Sequence, residues 1–324
     1  MYMKMLYGIQ LNGNGHITRS TKIIKELKNI GHDIDIITSG KNSQIELPFE
    51  IIKSFDGLSF FYNKSGSIDW IKTLKTLDIK RFFNDFYNVG EYDVVISDFE
   101  PISAWSAKKY DILSIGIGNQ YSFNSNKIPT PFIKDIFSEF FMKYFAKTDY
   151  NIGIQYEKYD DFIFKPIVED DIFKPVSDNN FYLIYLPSYS IDFLLNIIKN
   201  VNCNFKIYSP EIKKYSKFVN IEFFKPDRKS FIVDLCKSSG IITNCGFSTT
   251  SEALVLNKKL WSIPIKGQYE QKCNAISLKN MKVYTDKLNT LNLYKWINYY
   301  NKINYKWEDP TKEIIKKIEE YAKN

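Results

Sequence analysis

The first forty residues alternate between apolar runs and one stretch of helical spacing. Met5–Gln10 is a short apolar run, and a glycine-containing loop follows it. Apolar positions in Ile17–Ile30 recur at intervals of three and four, which predicts an amphipathic helix. Gly31 stands where helices commonly end, and Ile34–Ile37 is a second apolar run. This order is that of a βαβ unit, so we expect a parallel sheet.

The same alternation continues along the rest of the chain. Further strands are predicted at Tyr92–Ser97, Ile112–Gly118, Phe181–Leu186, Phe205–Tyr208, Ile221–Phe224, Gly240–Thr243 and Leu260–Ile263. Further helices are predicted at Ile102–Tyr110, Pro131–Tyr144, Ile191–Asn200, Ser230–Lys237 and Thr249–Leu256. The pattern indicates an α/β protein with two doubly wound, Rossmann-like domains. We expect them to face each other across a cleft at the carboxyl ends of both sheets, where such folds bind ligands.

The length of the chain agrees with two domains. Its 324 residues correspond to two units of about 150 residues. Residues 166–180 contain two prolines and four acidic residues, and we predict that they link a domain over 1–165 to a domain over 181–308. Residues 309–324 are expected to form an amphipathic helix that crosses back to the N-terminal domain.

Composition narrows the class of protein. The chain is 44% hydrophobic and 25% charged, with no uninterrupted apolar run long enough for a transmembrane helix and no recognisable secretory signal. Four cysteines form no CxxC pair, and two histidines exclude zinc-finger spacing, so we expect free thiols in the cytoplasm. The net charge is +7, but only three of the 44 basic residues are arginine, which favours nucleic-acid binding only weakly. An anionic partner or a membrane surface stays compatible with this charge.

Two segments of the first half carry candidate catalytic residues. The loop Asn12-Gly-Asn-Gly-His16 leads into the first helix, where glycines allow a ligand to approach and the helix N-terminus favours an anion. His16 is a candidate general base, and the alternative is a histidine that merely caps the loop. Asp98 follows the strand Tyr92–Ser97 and could orient His16; the alternative is that Asp98 caps the next helix.

Two segments of the second half carry candidate binding residues. The strand at Ile241 runs into Gly246 and then into hydroxyl residues that start a helix, an arrangement that suits a diphosphate. Glu252 lies one turn into this helix and could accept hydrogen bonds from a ribose diol; the alternative is an ordinary Ser/Thr-rich helix cap. The second segment, Pro264–Ala275, offers polar side chains suited to sugar hydroxyls, although alone it is also typical of a polar loop.

These segments together resemble the GT-B glycosyltransferases. The resemblance is to the branch shared by the MurG-type N-acetylglucosaminyltransferases and the UDP-glycosyltransferases, with a C-terminal domain of the glycosyltransferase family 28 type. It is carried by GNGHITRS, SDFEPISAW, NCGFSTTSEA and PIKGQYEQKCNA, in the family's order and at spacings of about 80, 150 and 20 residues. The chain departs from the plant-type members at Asn244, where they place a phosphate-contacting histidine.

The resemblance implies an inverting, metal-independent transfer of a sugar from a nucleoside diphosphate, with UDP expected, to a hydroxyl of a glycan, lipid-linked or small-molecule acceptor. His16 would be the base and Asp98 its partner, and no cofactor is expected beyond the nucleotide sugar. The donor-binding candidates are Gly15, Asn244, Gly246, Ser248, Thr249, Glu252, Glu270, Gln271 and Asn274, and the acceptor-binding candidates are Glu100, Asn119 and Gln120. No metal ligand is predicted, because the only DxD sequence, Asp33–Asp35, opens a predicted strand.

Three alternative functions stay open on the sequence. A UDP-sugar 2-epimerase shares the fold but needs several acids and bases, and a phage-type transferase would modify bases in DNA. A non-catalytic partner subunit with a decayed site is the third. The aromatic stretch Pro131–Tyr144 has two interpretations as well: packing on the first sheet, or contact with a membrane that carries the acceptor.

Overall fold

The computed structural model describes residues 2–11, 13–40, 47–56, 85–173 and 176–323. Within them the first sheet has seven parallel strands in the order β3-β2-β1-β4-β5-β6-β7. Its strands are β1 (Lys4–Gln10), β2 (Asp33–Ser39), β3 (Lys53–Phe55), β4 (Val94–Asp98), β5 (Ser114–Gly118), β6 (Tyr150–Ile154) and β7 (Ile163–Phe164). The central strands are buried on both faces, which explains their nearly continuous apolar sequences.

The second sheet has six strands among the described residues, in the order β10-β11-β9-β8-β12-β13. They are β8 (Phe181–Tyr185), β9 (Asn204–Tyr208), β10 (Ser216–Phe218), β11 (Ile221–Phe224), β12 (Gly240–Asn244) and β13 (Lys259–Ile263). All pairs are parallel except β10 with β11.

The helices cover both sheets. They are α1 (Asn14–Asn29), α2 (Pro101–Tyr110), α3 (Asn119–Ser122), α4 (Ile136–Tyr144), α5 (Ile191–Ile198), α6 (Arg228–Lys237), α7 (Phe247–Val255), α8 (Tyr269–Asn280), α9 (Thr290–Tyr299) and α10 (Thr311–Tyr321), with a 3-10 turn at Asp170–Phe173. Within the described ranges no helix is both long and apolar enough to cross a membrane.

The strand order reverses once in each sheet, and the cleft lies at these points of reversal. The chain leaves β1 towards β2 on one side and returns to β4 on the other, and β8 likewise lies between β9 and β12. Segments that follow β1, β4 and β12 therefore meet at the carboxyl ends of the strands. The predicted α/β class with two doubly wound sheets is confirmed.

The C-terminal helix packs on the first half of the molecule. Ile314, Ile315 and Ile318 lie in the same buried cluster as Met5 and Ile9 of β1. Their spacing puts all three on one face of α10, and the tyrosine ring of Tyr321 in that helix stacks on Tyr150 of β6 at 4.4 Å. The last helix is therefore part of the first core, although the chain reaches it only after the second sheet.

Two predicted helices begin three or more residues away from the observed start. The first begins at Asn14 instead of Ile17, directly after Gly13, whose φ of 110° favours glycine. The aromatic helix begins at Ile136 instead of Pro131, because the Asp135 carboxylate accepts a hydrogen bond from the Ser138 N–H at 3.1 Å and caps it there.

Of the two interpretations of the aromatic stretch, packing on the first sheet is wrong. No residue of α4 is buried, and Phe140 is 61% exposed. The preceding loop is still more open, with Phe132 and Ile133 almost fully exposed. Phe141 of this helix packs, as a partly buried neighbour, against a small cluster beneath it that contains Phe99 and Phe145.

Candidate active site

Two helices begin at the same point of the cleft, one from each half of the molecule. α1 follows Gly13 and α7 follows Gly246, and neither has a side-chain cap or an acidic residue in its first turn. A Cβ atom placed on Gly15 would lie 2.1 Å from Ser248 Oγ, so the two helix ends are in contact. A Cβ on Gly246 would meet nothing within 4 Å. Because backbone N–H groups and positive dipole ends converge here, the position suits an anion such as a diphosphate.

His16 and Asp98 come together next to this point. His16 Nδ1 lies 2.7 Å from Asp98 Oδ1, although the two residues are 82 positions apart. Asp98 is fully buried and also accepts a hydrogen bond from Ser20 Oγ at 2.7 Å. The structure thus places the two proposed catalytic residues in direct contact. Asp98 does not cap α2, which was the alternative for it.

Arg19 is a third member of this cluster that the sequence analysis did not single out. Its Nε donates to Asp98 Oδ2 at 2.8 Å and its Nη2 donates to Asp98 Oδ1, so the guanidinium holds both carboxylate oxygens. Burial opposes ionisation of Asp98, but Arg19 and His16 outweigh it and hold the pKa of Asp98 below its usual value. Asp98 is therefore an anion at neutral pH.

Arg19 also affects which nitrogen of His16 carries the proton. Arg19 Nη2 lies 2.7 Å from the same Nδ1 that contacts Asp98. If Nδ1 carries the proton, it donates to Asp98 and leaves Nε2 free to act as a base. If Arg19 donates to Nδ1, the proton is on Nε2 instead. Only the first arrangement gives His16 the base role.

The predicted acceptor-binding residues have different environments. Glu100 is fully buried and caps α2, accepting from the N–H groups of Ile102 at 2.9 Å and Ser103 at 2.6 Å. This corrects the expectation that Glu100 contacts the acceptor, because helix capping occupies both of its oxygens. Asn119 is buried and donates to the Ile154 carbonyl at 3.0 Å.

Gln120 is the acceptor candidate that lies in the cleft. Its Nε2 donates to Glu270 Oε2 at 3.2 Å, which joins the first half of the molecule to the second. Burial raises the pKa of Glu270 above its usual value, and His16, Gln120 and Arg19 oppose only part of this effect. Glu270 and Gln120 thus lie together near His16.

A pocket of about 520 Å³, counting the part open to solvent, lies beside the paired helix ends. It is lined by Gly15, Thr18, Tyr185, Tyr208, Pro226, Asp227, Arg228, Phe231, Ser248, Thr249 and Glu252. Ser248, Thr249 and Glu252 of the predicted diphosphate and ribose site thus share one pocket. The aromatic side chains Tyr185, Tyr208 and Phe231 give this pocket an apolar wall.

Glu252 is paired with an arginine that the sequence analysis did not predict. Arg228 donates to both of its oxygens, from Nη2 at 2.6 Å and from Nη1 at 3.1 Å. Glu252 is 2% exposed, and burial raises its pKa above the usual value, with Arg228 opposing part of the rise. The fork of Arg228 therefore favours the carboxylate form that a ribose diol requires.

The remaining donor candidates are occupied by protein contacts. Asn244 accepts from Ser188 Oγ at 3.1 Å and donates to the Ile263 carbonyl at 3.1 Å. The Gln271 side chain accepts a hydrogen bond from the Ile265 N–H and donates one to the Gln268 side-chain oxygen. Asn274 is fully buried and donates to the Cys245 carbonyl at 3.1 Å, so it supports the turn before α7 from inside and does not line the cleft.

A second cavity of about 790 Å³, measured in the same way, lies between α3 and α4. Gln120, Asn124, Ser125 and Asn126 line one side, and Lys134, Lys143 and Met142 line the side of α4. Because Gln120 also contacts Glu270, this cavity adjoins the proposed reaction centre. The segment after β5 lines this cavity from Gln120 to Thr130.

Arginine content was the signal that could have revealed Arg19 and Arg228. The chain has three arginines against 41 lysines, and the two that the structure describes both lie in the cleft, each on a carboxylate. Arg81 lies outside the described residues. Among the residues that are described, no group of three or more His, Cys, Asp or Glu side chains could hold a metal ion.

The comparisons with known proteins decide the family. A family model described as "Glycosyl transferase family 1" matches residues 3–302. The chain belongs to this family. It is a glycosyltransferase with the GT-B fold, as the four sequence segments predicted. No curated protein matches the chain.

Solved structures of glycosyltransferases have the same fold. The chain is similar to Acinetobacter baumannii MurG, with a TM-score of 0.62 and 11% identity over 98% of this chain and 99% of that one. It is similar to Arabidopsis thaliana UGT89C1 complexed with UDP, with a TM-score of 0.58 and 12% identity over 100% and 95% of the two chains. SnogD of Streptomyces nogalater gives 0.54 and 12% identity over 100% and 96%. These likenesses extend along almost the whole transferase.

Proposed function

We propose that the transferase moves a sugar from a UDP-sugar to an acceptor hydroxyl with inversion at the anomeric carbon. The observation that carries the proposal is the contact between His16 and Asp98 beside the two uncapped helix ends. A base and an anion site on either side of the reacting carbon are the two parts that direct displacement requires.

The reaction follows from these positions. With its Nδ1 proton donated to Asp98, His16 accepts the proton of the acceptor hydroxyl at Nε2 as the oxygen attacks the anomeric carbon. The bond from that carbon to the diphosphate oxygen breaks, and the helix ends at Gly15 and Ser248 stabilise the charge on the leaving diphosphate. Attack opposite the leaving group inverts the configuration.

UDP is the proposed leaving group because the pocket has parts for each portion of a pyrimidine nucleotide. Ser248 and Thr249 offer hydroxyl and N–H donors at the start of α7, and the Glu252 carboxylate, which Arg228 holds in the same pocket, is the proposed acceptor for the ribose hydroxyls. Tyr185 and Phe231, with ring centroids 5.4 Å apart, form a wall for a flat base. UGT89C1, which has the same fold, is described as a complex with UDP.

The experiment is a transfer assay with UDP-glucose, UDP-galactose and UDP-N-acetylglucosamine, in which release of UDP is measured. Wild-type protein is expected to release UDP from one of them, by transfer or by slow hydrolysis. His16→Ala is expected to lower kcat by about 10²–10⁴, because it removes the general base, while UDP affinity stays unchanged. Full activity of His16→Ala would contradict the proposed role of His16.

We further propose that the acceptor reaches the enzyme at a membrane surface. Phe132, Ile133, Ile136 and Phe140 expose 104%, 85%, 79% and 61% of their area, on and just before the helix that walls the second cavity. An apolar stripe of this size beside lysines is typical of a surface that lies in the headgroup region of an anionic bilayer. The cavity would then open beside the lipid, as a lipid-linked acceptor requires.

Sedimentation with vesicles of phosphatidylcholine and phosphatidylglycerol tests this surface. Phe140→Ser is expected to weaken vesicle binding by about tenfold, because it removes the free energy gained when one aromatic side chain enters the bilayer interface. Phe218→Ser on β10, where the native side chain is 64% exposed, is the matched control and should bind as wild type does. Equal effects of both changes, or no binding by wild type, would contradict membrane docking through α4.

A further inference from the structure

The ion pairs around Arg228 connect the donor pocket to the helix that carries His16. Besides its fork on Glu252, Arg228 places Nη2 3.3 Å from Glu169 Oε2, in the segment between the two sheets. The other oxygen of Glu169 accepts from Thr18 Oγ1 at 2.7 Å. Thr18 lies on α1, two residues after His16. One line of polar contacts therefore runs from α7 through the linker to α1.

The arrangement cannot stay the same when a ribose binds to Glu252. Arg228 occupies both carboxylate oxygens, and the Glu252 side chain is only 3% exposed. A carboxylate has about four acceptor sites, of which Arg228 uses two, but at 3% exposure a ribose diol reaches the other sites only when the arginine shifts. Arg228 must then move from at least one oxygen, and Glu169 is the second carboxylate already within its reach.

We propose that Arg228 and Glu169 are positioning residues of the donor site: as a ribose takes the oxygens of Glu252, Arg228 transfers its hydrogen bonds to Glu169. This inference rests on the proposed nucleotide site. Because Glu169 is held by Thr18, the transfer tightens the contact between the donor half and α1. Arg228 Nε, buried and without a hydrogen-bond partner among the described residues, is a further donor available as the side chain turns.

A neighbouring ion pair provides a control for a purely structural role. Lys22 of α1 contacts Asp170 at 2.8 Å, so Asp170 joins the same linker to the same helix. No contact of Asp170 with Arg228 or Glu252 is found among the described residues. A change at Asp170 therefore loosens the linker without affecting the fork.

The test is calorimetric titration with UDP of wild type, Glu169→Gln, Asp170→Asn, Arg228→Gln and the Arg228→Gln/Glu169→Gln double variant. Glu169→Gln is expected to weaken UDP binding about two- to fivefold, the effect of one partly exposed ion pair gained on binding. Asp170→Asn should leave UDP affinity unchanged. In the Arg228→Gln background, Glu169→Gln should not lower UDP affinity further, since the arginine that contacts Glu169 is absent.

Each other outcome overturns the inference. Unchanged affinity in Glu169→Gln means that Arg228 does not transfer, and equal losses in Glu169→Gln and Asp170→Asn mean that the linker acts only as a scaffold. A loss that persists in the Arg228→Gln background means that Glu169 acts without Arg228. Absence of UDP binding by wild type would instead refute the proposed donor site and, with it, this inference. If thermal melting shows that the double variant is unfolded, Arg228→Lys, which cannot form the fork, replaces Arg228→Gln.

Discussion

Gly15→Ala tests whether the two helix ends form the diphosphate site. The new Cβ would lie 2.1 Å from Ser248 Oγ but 3.4 Å from Ser248 Cβ, which is ordinary contact. Only the hydroxyl must therefore move, and Ser248 can move it by changing rotamer at a cost of about 0.5–1.5 kcal/mol. Alanine also favours a helix over glycine by about 0.5–1 kcal/mol, so the melting temperature should hardly change.

The effect on UDP binding should be much larger than the effect on stability. A Ser248 hydroxyl turned away from the diphosphate loses a hydrogen bond to a charged group, worth about 1.5–3 kcal/mol. Gly15→Ala is therefore expected to weaken UDP binding by about 10- to 150-fold. The assay is calorimetric titration with UDP, with melting curves to show that each variant is folded.

The background Ser248→Ala separates this explanation from others. Without the hydroxyl, the alanine at position 15 meets only a Cβ at an acceptable distance, so Gly15→Ala should cost no additional affinity there. An equal loss in both backgrounds would mean that the substitution displaces α1 itself. Unchanged UDP affinity in the single variant would refute the role of Ser248 in the diphosphate site.

Two further predictions concern stability and its pH dependence. The pKa of Asp98 is lower in the folded protein than in the unfolded chain, where it is about 4. Its carboxylate therefore stabilises the fold fully above about pH 4, and this stabilisation is lost as the pH falls through the folded-state pKa. Asp98→Asn should therefore lower the free energy of unfolding, measured in urea, by about 3–5 kcal/mol at pH 6. The difference from wild type should shrink below about pH 4. A difference that stays constant with pH would contradict the pairing of Asp98 with Arg19 and His16. Ile318→Ala, at a fully buried position of α10, should cost about 2–5 kcal/mol in the same assay, whereas a change below 1 kcal/mol would mean that α10 is not part of the first core.

Features that depend on local sequence could be predicted. The βαβ order, the glycine loop before α1 and the position of Asp98 at the end of β4 all follow from short patterns. The adjacency of His16 and Asp98 then follows from topology, because β1 and β4 are neighbours in the sheet.

Features that depend on long-range contacts could not be predicted. Arg228 and Glu252 belong to different helices, and nothing in either segment shows that they pair. Glu100 caps α2 because the chain turns after β4 through Phe99, whose φ is 51°; a sequence pattern does not reveal which acidic residue this turn brings to the helix. The exposure of α4 depends on what covers it, and its aromatic sequence is equally typical of a buried helix.

The most direct test of the account is titration of wild-type protein and Glu252→Ala with UDP. Glu252 is buried in the pocket beside both helix ends. UDP should therefore bind to wild type, and its affinity for the variant should be about 10- to 150-fold lower. Glu313→Ala on the exposed side of α10 is the control and should bind as wild type does. Equal UDP affinity in wild type and Glu252→Ala would contradict the assignment of this pocket as the donor site.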